Sequence, residues 1–261
     1  MKRLLLVFAH PDDESFSCGG TVAKYVKAGW HVDLITATRG EAGNVGPYTN
    51  ISRDQLADIR QKELQKAATL LGINSITLLG YRDGTLSEQT PGELEDKVHK
   101  KMEELVPDAV ITADTTGISN HPDHIKMSYV TTYAFQKYAA WIETMLKDQE
   151  KAAQIFPKLY YACMPESVLN YLKKKKILSA ESFGRPRRGT PDKNITTVIN
   201  IMKFASTKKK ALLSHVSQQK DIDRFLSLPS QPMLKHEYYI LRMQGTTEVF
   251  MGKHDHVANT L

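Results

Sequence analysis

Leu4-Leu5-Leu6-Val7-Phe8-Ala9 runs without a break into His10-Pro11-Asp12-Asp13-Glu14, and this junction decides the fold. The apolar run has the character of a buried strand. Metal-binding and proton-transferring groups stand directly after it. Open parallel sheets place their ligand sites at the carboxyl ends of strands, so the junction predicts a site as well as a strand. A second cluster, His121-Pro122-Asp123-His124, follows a second apolar run. The clusters are far apart in sequence, yet each lies just past a strand, and we read them as one metal site.

Strand and helix signals alternate through the first half. A strand over residues 3–9 precedes helical spacing at Val22, Ala23 and Val26, which Gly29 ends, and a strand over 31–38. Ser52 and Gln55 have capping-box spacing ahead of a helix whose Leu56, Ile59, Leu64, Ala67 and Leu71 share one face until Gly72 stops it. Residues 75–79 read as a strand. Thr90-Pro91-Gly92-Glu93 offers a cap, a proline at the first helical position and a glutamate at the third, before the buried stripe Leu94, Val98, Met102, Leu105. A strand over 108–113 and a long helix over about 125–146 complete the rhythm. It predicts an α/β fold, a Rossmann-like, mostly parallel sheet flanked by helices. The second half is less regular. It carries strands near 159–164 and 195–201, a lid-like stretch over 166–176, a polar loop with Gly184, Arg185, Pro186, Arg187, Arg188 and Gly189, and a helix over 204–218. One domain over 1–261 is expected, with a Rossmann-like core over 1–150 and a smaller C-terminal α/β extension over 151–261 capping the site.

A chain of 261 residues, 41% hydrophobic and 25% charged, is long enough to bury a substantial core, which excludes general disorder. The net charge of +6 favours an anionic small substrate, a membrane surface or nucleic acid without choosing among them. The lysine runs 173–176 and 208–210 lack interleaved aromatic residues and read as solvated helix faces, so no nucleic-acid partner is expected. Cys18 and Cys163 are too few for a disulfide framework and suggest a reducing compartment, by default the cytoplasm. The apolar run after Lys2-Arg3 is too short for a signal peptide, and no segment approaches the roughly 20 apolar residues of a membrane span. A homo-oligomer stays open.

His10, Asp13 and His124 would give a metal two imidazoles and one carboxylate and leave a place for water, as catalytic zinc requires. Zinc lowers the pKa of water from about 15.7 to roughly 7. Adjacent Asp12 and Asp13 cannot easily point the same way on a tight turn, so Asp13 can ligate while Asp12 acts as general base. His121, held by a carboxylate such as Asp123, would serve as a cationic donor to a tetrahedral oxyanion or a departing amine. An amide substrate fits this machinery. The same donor set also describes a non-haem iron(II) site, so Fe2+ stays open beside Zn2+. Each cluster alone also suits a helix start; their pairing after two strands favours metal. Ser17-Cys18-Gly19-Gly20-Thr21 raises a non-catalytic dinucleotide-binding module, but it lacks the G-x-G-x-x-G order and an acidic strand end repels pyrophosphate. His215 reads as a structural histidine on a helix, and the tail His254-Asp255-His256 as a weak site for stray metal.

These residues resemble the LmbE-like, or PIG-L, family of zinc-dependent de-N-acetylases, whose first signature is matched by residues 9–14 and whose second by 121–124. Gly19-Gly20-Thr21, Thr38-Arg39-Gly40-Glu41, Arg60 with Glu63, Asp83-Gly84 and His215-Val216-Ser217-Gln218 extend the likeness over most of the chain. The resemblance implies His10, Asp13 and His124 as ligands, Asp12 as base, His121 as transition-state stabiliser and Asp123 as the group tuning its charge. It implies removal of acetyl from a small N-acetylglucosamine glycoside, possible substrates including thiol precursors. Arg39, Glu41, Arg60 and Asp83 are candidates for sugar or anionic aglycone contacts. An amidase cleaving thiol-sugar S-conjugates is the related alternative.

Overall fold

β1 (Arg3–Phe8) shows how the opening run builds two cores at once. Successive side chains of a strand point to opposite faces, so Leu5 and Val7 join one apolar cluster while Leu4, Leu6 and Phe8 join the other, none more than 3% exposed. Full burial of each leucine contributes roughly 1.5–3 kcal/mol. In the computed structural model, which describes residues 1–146, 156–227, 232–249 and 257–261, the chain continues through α1 (Asp13–Lys27), β2 (His31–Thr38), α2 (Arg53–Leu71), β3 (Ser75–Tyr81), α3 (Glu93–Leu105), β4 (Ala109–Ala113), α4 (Gly117–Asn120) and α5 (Pro122–Leu146). The second half adds β5 (Lys158–Cys163), α6 (Glu166–Lys174), β6 (Glu181–Ser182), β7 (Arg185–Pro186), β8 (Thr197–Asn200), α7 (Ala205–Leu212), α8 (Gln219–Leu226), β9 (His236–Gln244) and β10 (Thr247–Glu248).

The main sheet has eight strands in the order β10-β9-β5-β4-β1-β2-β3, with β8 also on β9. Pairings among β1 to β5 are parallel, whereas β9 runs antiparallel to β5, β8 and β10. The mostly parallel α/β architecture is therefore the one expected. Of the strands after residue 156, β5, β8, β9 and β10 join the same sheet and extend the core, while β6 and β7 pair only with each other. The expected boundary near residue 150 lies outside the described residues, as does the tail His254-Asp255-His256.

Several local expectations shift. α1 begins at Asp13, because the His-Pro-Asp-Asp cluster is itself the helix start and Asp12 is the N-cap. α3 begins at Glu93, two residues late, because the Glu95 carboxylate reaches back to accept the Gly92 N–H at 3.0 Å. The helix expected over 204–218 ends at Leu212, which leaves His215 in the turn before a short 3-10 segment. Lys208 is not a solvated charge. It is 0% exposed and its Nζ lies 2.6 Å from Glu237 Oε1. Among the described residues no helix is long and apolar enough to cross a membrane.

Candidate metal centre

β1 and β4 are neighbours at the centre of the sheet, where the strand order changes direction, and the loops beyond them part to leave a crevice. Both predicted clusters line it. Asp12 adopts φ 106°, a left-handed backbone that costs of order 1–3 kcal/mol in a non-glycine residue. Its consequence is that the paired aspartates diverge: Asp12 Oδ2 accepts from Arg60 Nη2 at 3.1 Å, while Asp13 turns to the two histidines.

His10 Nδ1 and His124 Nε2 stand 3.0 Å apart, Asp13 Oδ1 is 3.2 Å from His124 Nε2, and Asp13 Oδ2 is 3.8 Å from His10 Nδ1. Tetrahedral ligands at zinc bond lengths would be separated by about 3.3 Å. The tautomers support this reading. His10 Nε2 faces Asp83 Oδ1 at 2.8 Å and Asp123 Oδ2 at 3.3 Å, which fixes the ring proton there and bares Nδ1. His124 Nδ1 donates to the Gly117 carbonyl at 3.1 Å, which bares Nε2. With His10 neutral, two lone pairs confront each other beside a carboxylate, an arrangement that a cation satisfies, whether a proton shared between the rings or a metal ion.

Two further groups converge within 4.8 Å: His10 with His121 and His124, and His10 with Asp83 and Asp123. The second surrounds the protonated side of His10. In the first, the Asp123 backbone N–H donates to His121 Nδ1 at 3.2 Å, so the neutral His121 ring carries its proton on Nε2 and is a donor there. Asp13, by contrast, presents a carboxylate oxygen to each of the two histidines His10 and His124.

Charge follows burial and neighbours. Burial pulls His10 down, but hydrogen bonds to Asp123 and Asp83 overcome it and raise its pKa to about 10. Burial opposes the charge on Asp83, yet His10 holds it down to about 2. Burial pushes Asp12 up to about 7 against the attraction of Arg60. Burial, then the like charges of His10 and His124, lower His121 to about 4. The crevice therefore favours a positive charge between the histidines and a neutral ring at His121.

The sequence reading predicts a cationic His121; burial and the two neighbouring histidines favour its neutral form instead. Asp123 also sits elsewhere than expected. Its carboxylate accepts from Gly84 N–H at 2.7 Å and Leu86 N–H at 3.2 Å and faces His10, while its charge favours a protonated His121 without outweighing burial and the two neighbouring histidines. Arg60 and Asp83 line the crevice but are occupied. Arg60, 3% exposed, donates to the carbonyls of Pro11 and Gly40 and to Asp12, fixing that turn. Glu41 Oε1 accepts the Asp83 N–H at 2.9 Å, and Arg39 pairs with Asp58, so neither is brought to the crevice lining.

Sequence reasoning missed the supports beneath Asp12. Glu14 Oε2 accepts the Asp12 N–H at 3.1 Å, and Glu14 Oε1 lies 3.1 Å from His215 Nε2, both side chains being fully buried. Glu63 accepts from Ser217 N–H at 2.8 Å and Oγ at 2.6 Å. The second half, expected to cap the site, contributes a wall through contacts the sequence did not specify. Asn120 Nδ2 donates to the carbonyls of Arg185 at 3.1 Å and Pro186 at 3.2 Å, which ties the β6–β7 hairpin to the second cluster. Phe183 at the hairpin tip meets the His121 ring edge-on at 4.7 Å. The whole crevice encloses about 850 Å³. The Ser17–Thr21 segment offers no phosphate loop: it lies within α1, and the N–H groups of Gly20 and Thr21 are taken by Glu237 at 2.9 and 2.7 Å.

Residues 5–135 match the family model for PIG-L, GlcNAc-PI de-N-acetylase. A 1D-myo-inositol 2-acetamido-2-deoxy-alpha-D-glucopyranoside deacetylase of Catenulispora acidiphila is 32% identical over 95% of this chain and 85% of its own length. The chain belongs to the PIG-L family. A probable N-acetyl-alpha-D-glucosaminyl L-malate deacetylase of Bacillus anthracis is 41% identical over 47% of this chain and 54% of its own. Among solved structures, the N,N'-diacetylchitobiose deacetylase of Pyrococcus horikoshii superposes with a TM-score of 0.66 at 22% identity, covering 94% of this chain and 84% of that one. A 4-carboxy-2-hydroxymuconate hydratase from Pseudomonas putida shares the fold at a TM-score of 0.63 and 18% identity, covering 95% and 99%. The PIG-L fold alone therefore does not dictate the reaction, and the site must.

Proposed function

We propose that this PIG-L protein is a metal-dependent hydrolase that removes the acetyl group from a small N-acetylglucosamine glycoside. The observation that carries the reading is the pair of bared imidazole nitrogens 3.0 Å apart beside Asp13, with Asp12 turned away from them onto Arg60. The relatives named above act on N-acetylated glucosamine derivatives, which supplies the substrate class.

His10 Nδ1, His124 Nε2 and Asp13 would hold the ion, and Asp83 and Asp123 would keep His10 turned towards it. Zinc suits two nitrogens and an oxygen, and hydrolysis needs no change of oxidation state. When bound, it would polarise the amide carbonyl and acidify water. Asp12 takes the proton from the attacking water and passes it to the departing amine. Its raised pKa matches such a base to neutral pH. His121 Nε2–H donates to the amide oxygen as negative charge develops there, and being neutral beforehand it does not compete with the ion for the site. Arg60 holds the Asp12 turn in place.

The test is Asp12→Asn. It should keep the metal content of the wild type by elemental analysis while kcat for acetate release falls by roughly 10²- to 10⁴-fold. Near-normal deacetylation by the variant would remove Asp12 from the mechanism. Product analysis for acetate against a mercapturate separates the deacetylase from an amidase of thiol conjugates.

A further inference from the structure

We propose that the crevice wall built by residues after 156 contains an anion-binding subsite, formed by Arg187 and Arg224, for a carboxylate or phosphate on the aglycone of the glycoside. This deepens the de-N-acetylase reading and rests on it. Both arginines line the same crevice as the metal centre. Arg187 is half-buried. Among the described residues it has no carboxylate within ion-pair distance, and its Nε is shut off from solvent without an acceptor. Burial and then the charge of Arg224 lower its pKa, which places the two guanidinium groups in mutual repulsion. Lys173 adds a third cation, its Nζ donating to the Arg187 carbonyl at 2.7 Å.

The carboxylate nearest Arg224 is Asp221, at 3.5 Å, and it also accepts from Asn44 at 3.2 Å. The cluster of Lys173, Arg187, Arg224 and Asp221 therefore keeps an excess of positive charge. Arg224 is exposed, its side chain 48% accessible, so solvent screens part of the repulsion, and an anion seated between the two guanidinium groups offsets what remains. The guanidinium fork matches the geometry of carboxylate and phosphate oxygens. In the same crevice, Phe16 and Phe225 meet edge to face at 5.2 Å and give an apolar surface for a carbon framework. The metal end of the crevice lacks that excess. Asp12, Asp13, Asp83 and Asp123 gather there, and their charge already matches the cations beside them, Arg60 and the ion the site would hold. Charge thus orients the substrate, amide to the aspartates and anion to the arginines.

The test uses the full-length, metal-loaded protein with three substrates: N-acetylglucosaminyl L-malate, N-acetylglucosamine 1-phosphate and the neutral inositol glycoside. Wild type should prefer an anionic substrate, and the better of the two identifies the anion. Arg187→Gln and Arg224→Gln should each lower the ratio of kcat/KM, anionic over neutral, by roughly ten- to a hundredfold, chiefly through KM. Arg187→Lys should recover part of the loss and guards against a folding defect. Calorimetric binding of the malate glycoside to the Asp12→Asn protein gives a readout without turnover. An unchanged substrate ratio in both Gln variants, with unchanged binding, overturns the subsite. Arg187-dependent binding without deacetylation of any substrate would instead keep the subsite and overturn the de-N-acetylase reading.

Discussion

Phe183 carries a backbone conformation its side chain does not explain. It has φ 52° and is followed by Gly184 at φ 67°, the positive pair of a tight hairpin turn in which asparagine and glycine are favoured. The ring is 57% exposed, yet it lies edge-on to His121. A strained, solvent-facing phenylalanine is explained by what it covers. Phe183→Asn should raise thermal stability slightly, by at most about 1 kcal/mol, while reducing deacetylase activity as His121 loses its cover. A variant as active as wild type would reduce Phe183 to a surface residue. At this scale the sequence was legible where chemistry is contiguous. His10, Asp12, Asp13, His121, Asp123 and His124 announce themselves because each group follows an apolar strand. Asp83 was named only through the family resemblance and Arg187 only as part of a capping loop, and Phe183 went unnamed, because each arrives singly through tertiary packing. The partner of Asp123 was misread for the same reason: its carboxylate crosses to His10 and two backbone N–H groups supplied by residues 84 and 86.

Among the elements, α1 bears the site and is fitted most tightly. A Cβ at Gly20 would come within 2.5 Å of Ile201 Cδ1 and 2.7 Å of its Cβ, so the helix can approach the chain beyond β8 only as glycine. Gly20→Ala should cost about 1–3 kcal/mol by overpacking, set against up to about 1 kcal/mol gained in helix propensity. Denaturant unfolding should show a net loss, and combining it with Ile201→Val should return part of it. Equal stability of the single variant would contradict the tight approach. Local signals predicted α2 well, since Ser52 and Gln55 form the capping box and Gly72 closes the helix in the left-handed conformation. They failed at α3, where two overlapping start signals compete and Glu95 decides, and at 204–218, where apolar spacing continues through a turn that buries His215.

Across the whole molecule, an ion at the proposed centre would link the two clusters from β1 and β4, which couples occupancy to global stability. Saturating metal at about a hundred times its Kd contributes roughly 2.7 kcal/mol. For a chain of this size that corresponds to about 5–10 °C in Tm. A chelator should lower the Tm by this amount in scanning calorimetry and zinc should restore it; a Tm indifferent to both would argue against an ion bridging the clusters. The parallel half of the sheet was legible because strand and helix periods alternate there. The antiparallel half was not. β9 alternates only in part, with the burial pattern iBiBiiiBe, and its partners β8 and β10 are short.

The crevice draws its hydrolytic side from loops before residue 125 and its opposite wall from the hairpin and α8. If the anion subsite holds, mutations in the later stretch would retune which glycoside is accepted while the reacting groups stay untouched. Lineages of this fold would thereby be free to exchange cargo without reinventing their chemistry.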